Sequence, residues 1–316
     1  MSTPKVYIII VNYNQWADSK ECLESVLKST YTDFSVFLID NKSGNNSMES
    51  LTGMLDGLNR NKYSLKEGLI DYLLLKKSEL DKVTLSKLPK VTFIQNDVNN
   101  GFAAGNNVVL QLLKEENAYI WLLNPDMTIQ ENTLTELVEF ALLQSPKTII
   151  GAVVKYYAGN HKVFFYGGGK VNFSLATGGV IQTPDLIGEL DYISGSCLFT
   201  NAASYRELGT LPERYFLYWE ETDWCYRAKQ LGYNLAVCMN AICYDKVSSA
   251  IGRSFMADYY YVRSGLLFVS KFNKQKIAGV LFFVMLRFLK RIITGKWKRA
   301  RGVYKGTVDF LKMKPR

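Results

Sequence analysis

This chain of 316 residues contains one histidine, His161. It lies in a Gly/Asn-rich stretch, where solvation is its expected state. Without a second histidine, Ser-His-Asp and Cys-His nucleophilic sites and His-built zinc sites lack their parts. The five cysteines (Cys22, Cys197, Cys225, Cys238, Cys243) are odd in number and show no CxxC spacing. They read as reduced thiols of a cytosolic compartment, with no metal framework. Seven prolines and no Gly-X-Y period exclude collagen-like and low-complexity chains. Neither the GxxxxGKS/T phosphate loop nor the GxSxG elbow occurs. No run reaches the roughly 18–20 apolar residues of a spanning helix. Ile277–Leu289 comes closest and is interrupted by Arg287. The opening MSTPKVYIIIVNYN lacks a basic n-region and a cleavage site, so it reads as a strand. The body is expected to be soluble and cytoplasmic.

What is present is a globular composition with an uneven charge. With 48% hydrophobic and 21% charged residues, disorder is excluded for most of the chain. The length suits one large domain, or one domain with an appendage. The net charge is +9, but from Arg253 onward 16 Lys and Arg face only Asp258 and Asp309, a net of +14. Residues 1–252 therefore carry a net of −5. A basic end on an acidic body points to an anionic partner, either nucleic acid or an anionic membrane face.

The first 155 residues alternate two periodicities. Short β-branched runs at Val6–Val11, Phe34–Ile39, Val91–Ile94, Tyr119–Leu123 and Thr148–Val154 enclose helical segments at about 17–29, 46–57, 103–116 and 131–144. This rhythm predicts an α/β fold with a mainly parallel sheet flanked by helices. Ligands of such sheets sit outside the carboxyl ends of the strands. Residues 58–89 read as a partly helical surface insertion without catalytic content. The Gly-rich stretch 160–192 reads as a hairpin or flap. Helical periodicity returns over 201–231, and after about 253 the chain becomes aromatic, aliphatic and basic. The divisions expected are 1–252 and 253–316.

Four segments can carry chemistry. Asp126 of Asn124-Pro125-Asp126 follows the apolar IWLL, which delivers it to the sheet edge. There it suits either a divalent cation that keeps its waters and meets phosphates, or the cap of a helix starting near Gln130. Asp40 in Asp40-Asn41-Lys42-Ser43 can accept from a base or ribose, with Lys42 meeting phosphate, although taken by itself the segment reads first as an Asx turn ending the strand. Asn100-Gly101-Phe102-Ala103-Ala104-Gly105-Asn106-Asn107 opens a helix with small residues that admit a ligand or simply tight packing. It is not GxGxxG, so a dinucleotide site is not expected. The fourth segment, Tyr218–Arg227, places Glu220, Glu221 and Asp223 among large aromatics. Crowding and dehydration raise a carboxylate toward the pKa of a general base. Asp223 and Arg227, spaced i, i+4, read as a helix ion pair. An acidic helix N-terminus accounts for the cluster otherwise.

In this order, VNYN, LIDNKS, NNGFAAGNN, LLNPD, YISGSCLF, FLYWEETDWCYRAKQLGY and KVSSAIGRS…YYYVRS resemble the family 2 glycosyltransferases of GT-A fold, in their bacterial rhamnosyltransferase-like branch. The resemblance spans about residues 5–270. It implies inverting transfer of a sugar, dTDP-rhamnose being one candidate donor, from a nucleoside diphosphate to an acceptor hydroxyl in cell-surface polysaccharide synthesis. It also implies a donor site of Val11, Tyr13, Asp40, Lys42, Asn100, Gly101, Asn107 and Asn124. Asp126, with Asp245 standing where relatives carry histidine, would hold Mg²⁺ or Mn²⁺. Glu221 would act as the base, with Glu220 beside it, and Gly195 and Trp219 would shape the acceptor or sugar pocket. The other function considered is a non-catalytic carbohydrate- or nucleotide-binding relative with a decayed site.

At the basic end, Ile277–Ile293 followed by GKWKRARGVYKG suggests an amphipathic helix anchored by Trp297 on an anionic leaflet, or a helix packed on the body with a solvated basic end. No recognition motif for nucleic acid accompanies the charge, so the membrane is the expected partner. A lipid-linked saccharide or other glycan acceptor fits that placement. The expected location is the inner face of the cytoplasmic membrane, held peripherally.

Overall fold

The computed structural model describes residues 3–60, 70–247 and 254–313. Residues 248–253 of the KVSSAIGRS segment lie outside them. The first half alternates β1 (Lys5–Asn12), α1 (Trp16–Leu27), β2 (Phe34–Asp40), α2 (Ser47–Arg60), β3 (Tyr72–Lys76), β4 (Val91–Gln95), α3 (Phe102–Leu113), β5 (Ala118–Leu123), β6 (Met127–Ile129), α4 (Thr133–Leu142) and β7 (Thr148–Tyr156). The second half adds β8 (Val163–Tyr166), β9 (Gly168–Asn172), β10 (Thr177–Val180), β11 (Tyr192–Ile193), β12 (Cys197–Asn201), α5 (Ala202–Leu208), α6 (Glu220–Gln230), β13 (Asn234–Asp245), α7 (Phe255–Phe272), α8 (Ile277–Ile293) and α9 (Trp297–Lys312).

Every strand and helix expected in the first 155 residues is present. Among the described residues the main sheet runs β3-β4-β2-β1-β5-β12-β7-β13-β6, with β8 beside β7. Strands β3 to β5 are mutually parallel, β12 is antiparallel to both neighbours, and β13 returns parallel to β7. Alternation along β1 shows why both faces need cover. Val6, Ile8 and Ile10 enter the core shared with α1, α2 and α4, while Tyr7, Ile9 and Val11 enter that of α3, α5 and α6. The carboxyl ends of β1, β2, β4, β5 and β13 consequently share one edge.

Four features differ from the sequence reading. The 58–89 stretch contains β3, an edge strand paired in parallel with β4, Tyr72 opposite Val91. Its leucines Leu73 and Leu74 face solvent, so no buried face announced it. Strand β12 slots antiparallel between β5 and β7, and the long β13 carries a register shift between Cys238 and Ile242. The helix expected near Gln130 starts at Thr133 as α4, but β6 lies between it and Asp126, so Asn132 and not Asp126 stands at its cap position. The Gly-rich stretch does form a hairpin, β9–β10, in a small sheet with β11.

The basic end is not a free appendage. Helix α7 shares a core with Tyr215 and Trp219, to which α8 adds Val280 and Val284 and α9 adds Val303. Charge changes at residue 253; packing does not. Gly302 and Gly306 bring α9 against α7, since a Cβ there would stand 2.4 Å from Phe255 O and 2.5 Å from Tyr259 O. Asp258, buried on α7, accepts from Arg291 Nη2 at 3.2 Å and from Arg299 Nε. Asp258→Ala leaves two largely buried guanidinium groups unpaired and should cost about 3 kcal/mol of stability. Urea unfolding measures it, and a loss near zero would show that the tail docks through its apolar contacts alone.

Candidate active site at the carboxyl edge

The donor side is built where β1, β2 and β4 end. Asp40 is buried, and its carboxylate accepts from Asn12 Nδ2 at 2.8 Å, Ser43 N at 3.0 Å, Gln95 Nε2 at 2.6 Å and the Ser43 hydroxyl. The Asx turn is therefore real, and it locks the loop that follows β2. Around this turn Val11 is nearly buried, while Tyr13 and Lys42 are exposed. Lys42 adopts a left-handed conformation, φ 61°. Two further residues, absent from the expected set, shape the floor. Asn41 Nδ2 donates to Asn99 Oδ1 at 2.9 Å and Gly101 O at 3.0 Å, and its Oδ1 accepts from Asn96 Nδ2 at 3.0 Å. Asn96 Oδ1 is buried without a partner, so it is available to a ligand. Amide side chains in loops carry no periodic signal, which is why sequence reasoning passed over them.

Two of the expected donor residues are engaged within the protein. Asn107 Nδ2 donates to Leu211 O and Glu213 Oε1, both at 2.8 Å, and Leu211 N returns a bond to its Oδ1 at 3.0 Å. It ties α3 to the loop before α6. Gly101, at φ +93°, is a close approach: a Cβ there would fall 2.0 Å from Phe216 O. Asn100 remains exposed at the mouth.

The cation side lies at the ends of β5 and β13. Met127 pairs with Asp245 in register, and Lys246 N donates to Asp126 O at 3.1 Å, so the two aspartates are neighbours. Burial, then the Asp245 charge, pushes Asp126 up to about 6. Burial raises Asp245 as well, against the Val247 amide at 2.5 Å that pulls it down. Asn124 Oδ1 is a buried oxygen with no partner. The donor atoms at these two strand ends are all oxygens, the chemistry that suits a hard divalent cation. Among the described residues no three His, Cys, Asp or Glu gather around one point. Water and a ligand's own oxygens would complete such a shell.

The base side is the start of α6. Glu220 is buried with Oε2 unpartnered. Burial and then Glu221 hold its carboxyl well above the usual range. Burial also raises Glu221, but the amides of Glu221, Thr222 and Gly195 pull it back. Both carboxyls are therefore held above the usual range, with the amides of Glu220 and Tyr218 opposing the rise at Glu220. Gly195 stands against the Glu221 side chain, where a Cβ would be 3.5 Å from its Cβ and Cγ. Trp219 is placed differently from expectation. It is buried, its ring 4.8 Å from that of Phe268, and packs into the α7 core instead of lining an open pocket. Asp223 forms the expected pair with Arg227 at 2.9 Å and also binds Lys271 and Tyr215. Ahead of these carboxylates, Phe216, Tyr218 and Trp219 take φ of 68°, 64° and 76°. Each such residue costs roughly 1–3 kcal/mol.

Comparison with known proteins bears on family and fold. The model of Glycosyl transferase family 2 matches residues 7–65 and 77–206, ending before Glu220. The low-salt glycan biosynthesis hexosyltransferase Agl10 of Haloferax volcanii is 22% identical over 268 residues, covering 80% of this chain and 82% of that protein. The mannosyltransferase PcManGT of Pyrobaculum calidifontis, solved in complex with GDP-Man and Mn²⁺, aligns with a TM-score of 0.58 at 12% identity, over all of this chain and 89% of that one. Staphylococcus aureus TarS 1-349 aligns at 0.50 and 15% identity, over 88% of this chain and 70% of that one. The fold is that of the GT-A glycosyltransferases. With the family match extending over more than half of its length, the chain belongs to glycosyl transferase family 2 and is a glycosyltransferase.

Proposed function

We propose that the chain transfers a sugar, with inversion, from a nucleoside diphosphate donor to a hydroxyl of a glycan or lipid-linked saccharide. The observation that carries this reading is the grouping of the carboxylates: Glu220 beside Glu221 at the start of α6, apart from Asp126 and Asp245 at the ends of β5 and β13. Glu221 takes the acceptor proton as the hydroxyl oxygen approaches the anomeric carbon opposite the leaving group, where charge develops as in glycoside hydrolysis. Asp126, Asp245 and Asn124 Oδ1 would hold Mg²⁺ or Mn²⁺. That ion, when bound, supplies Lewis-acid neutralisation of the leaving diphosphate. Asn96, Asp40 and Val11 face the nucleoside, with Tyr13, Lys42 and Asn100 at the mouth. Cell-surface polysaccharide synthesis fits the glycan role named for the archaeal hexosyltransferase. GDP-mannose, from the Pyrobaculum complex, joins dTDP-rhamnose among donors to test.

The membrane-surface reading has structural support too. Phe282, Leu286, Leu289 and Ile293 stand at i, i+4, i+7, i+11 on α8, all exposed, and Trp297 continues the stripe. Lys290, Lys296 and Lys298 flank it. No described helix is long and apolar enough to cross a membrane. An apolar stripe with a cationic border fits the headgroup layer of an anionic leaflet, on the inner face of the cytoplasmic membrane.

Four outcomes are expected. Glu221→Gln should lower transfer by about 10²–10⁴-fold while donor binding by calorimetry stays within twofold, and Glu220→Gln, which copies a protonated carboxyl, should keep most activity. The reverse ranking moves the base to Glu220, full turnover in both removes the pair from the role of base, and donor binding without turnover in the unsubstituted chain favours a non-catalytic binder. Because Glu221 is raised, the acid limb of the rate profile should lie above the ordinary glutamate value of about 4.3. A thermal-shift screen of UDP-, dTDP- and GDP-sugars should show Mn²⁺-dependent stabilisation that Asp126→Asn removes; a metal-independent shift counts against the cation site. Polar replacement of Phe282, Leu286, Leu289 and Ile293 together should abolish flotation with anionic vesicles, and undiminished flotation would sink the α8 assignment.

A further inference from the structure

The YYYVRS segment takes no part in the chemistry above, yet it lies on α7 against the turn that starts α6. We infer that Ser264, with Arg263 beside it, is a positioning residue for the transfer reaction: α7 clamps the 215–219 turn in its left-handed geometry and so sets where Glu221 stands. The inference rests on Glu221 being the base, as proposed above.

Ser264 is fully buried, and its Oγ lies 3.1 Å from Tyr215 O and 3.0 Å from Leu217 O. One hydroxyl proton is thus shared between the two carbonyls that flank Phe216. Arg263 Nη2 donates to Tyr215 O at 2.5 Å. The Tyr260 ring stacks on Phe216 with centroids 4.5 Å apart and planes 12° from parallel. Farther along α7, Lys271 Nζ meets Asp223 at 2.8 and 2.7 Å, and Tyr215 Oη donates to the same carboxylate at 2.6 Å. Residues 260, 264 and 271 follow the i, i+4, i+11 spacing of one helix face. From the opposite side Phe102 N donates to Phe216 O at 2.8 Å.

The carbonyls of Tyr215, Phe216 and Leu217 therefore each find a donor outside the turn. Left-handed residues other than glycine persist where their surroundings over-determine them. Phe216, Tyr218 and Trp219 meet that condition through α7 and the first amide of α3. Glu220 and Glu221 are the next two residues, so any relaxation of the turn carries them along. A displacement of about 1 Å at a reacting group can cost about 10²-fold in rate.

The test uses the full-length chain, the donor selected by the thermal-shift screen, and water as acceptor, followed by release of nucleoside diphosphate. Ser264→Ala should lower kcat about 10–100-fold, with donor KM and calorimetric binding stoichiometry unchanged. Its acid limb should also move to lower pH, because a loosened turn admits water to Glu221 and lets its carboxyl fall toward the ordinary range. The groups facing Glu221, namely Glu220, Tyr192, Cys225 and the Gly195 amide, are untouched by this change. Ser264→Thr should restore the limb, and Arg263→Gln should displace it less. Wild-type kcat in Ser264→Ala, or a loss matched by fewer binding sites at an unmoved limb, overturns the clamp. Glu221→Gln run alongside separates the two readings. Its retained turnover overturns the base, whereas its inactivity together with wild-type Ser264→Ala kinetics overturns the clamp alone.

Discussion

Gathering carboxylates at one edge of a sheet sets like charges against each other, and much of this structure is the means of holding them there. Asp126 is raised by Asp245 and Glu220 by Glu221, after burial has already disfavoured their charged forms. The two pairs are relieved in different ways. At Glu221, three backbone amides favour the anion, and at Glu220 two do. At Asp126 and Asp245 the flanking amides are fewer, and the Asp126 amide and then the Lys246 charge oppose the rise at Asp126. On the proposed assignment the second pair would receive a cation, which would let a net-negative body bind a diphosphate.

A train of hydrogen bonds links the donor side to the base side. Asn12 and Ser43 hold Asp40, Asn41 reaches Gly101 O, Phe102 N reaches Phe216 O, and Ser264 closes on the carbonyls around Phe216. Gly101 has to be glycine for this contact, because any side chain would occupy the space of the Phe216 carbonyl. The residue expected to cradle a ligand thus serves first to bring two loops together. Asn107 does similar work one turn into α3.

How legible this was in the sequence depended on periodicity. Runs such as Val6–Val11 and Phe34–Ile39 are buried on both faces and read as strands without ambiguity. Strand β3 did not, because Leu73 and Leu74 point to solvent and charged residues surround it. Strand β13 mixes half-exposed and buried positions across its irregularity, which hides an alternation of two. Glu220, Glu221 and Asp126 stand out in the sequence because charge beside apolar or aromatic residues is a local signal. The burial of Trp219 does not, because an aromatic beside a carboxylate looks the same whether it lines a pocket or plugs a core, and its left-handed backbone leaves no trace in composition.

The change of charge at residue 253 invited a division of the chain that packing does not respect. Helix α7 contributes Leu266, Phe268 and Val269 to the core that α8 and α9 complete, and on the face toward α6 it carries Tyr260, Ser264 and Lys271. The same helix therefore seats the exposed apolar stripe of α8 and braces the turn ahead of Glu221. Since Asp258 fastens α8 and α9 to it through Arg291 and Arg299, force on the outer helices is borne by α7 before any other element. A basic tail that only tethered the enzyme could end in a flexible linker. One packed on the helix that braces the 215–219 turn would, with Glu221 as the proposed base, tie the orientation of that carboxylate to the docking of the tail.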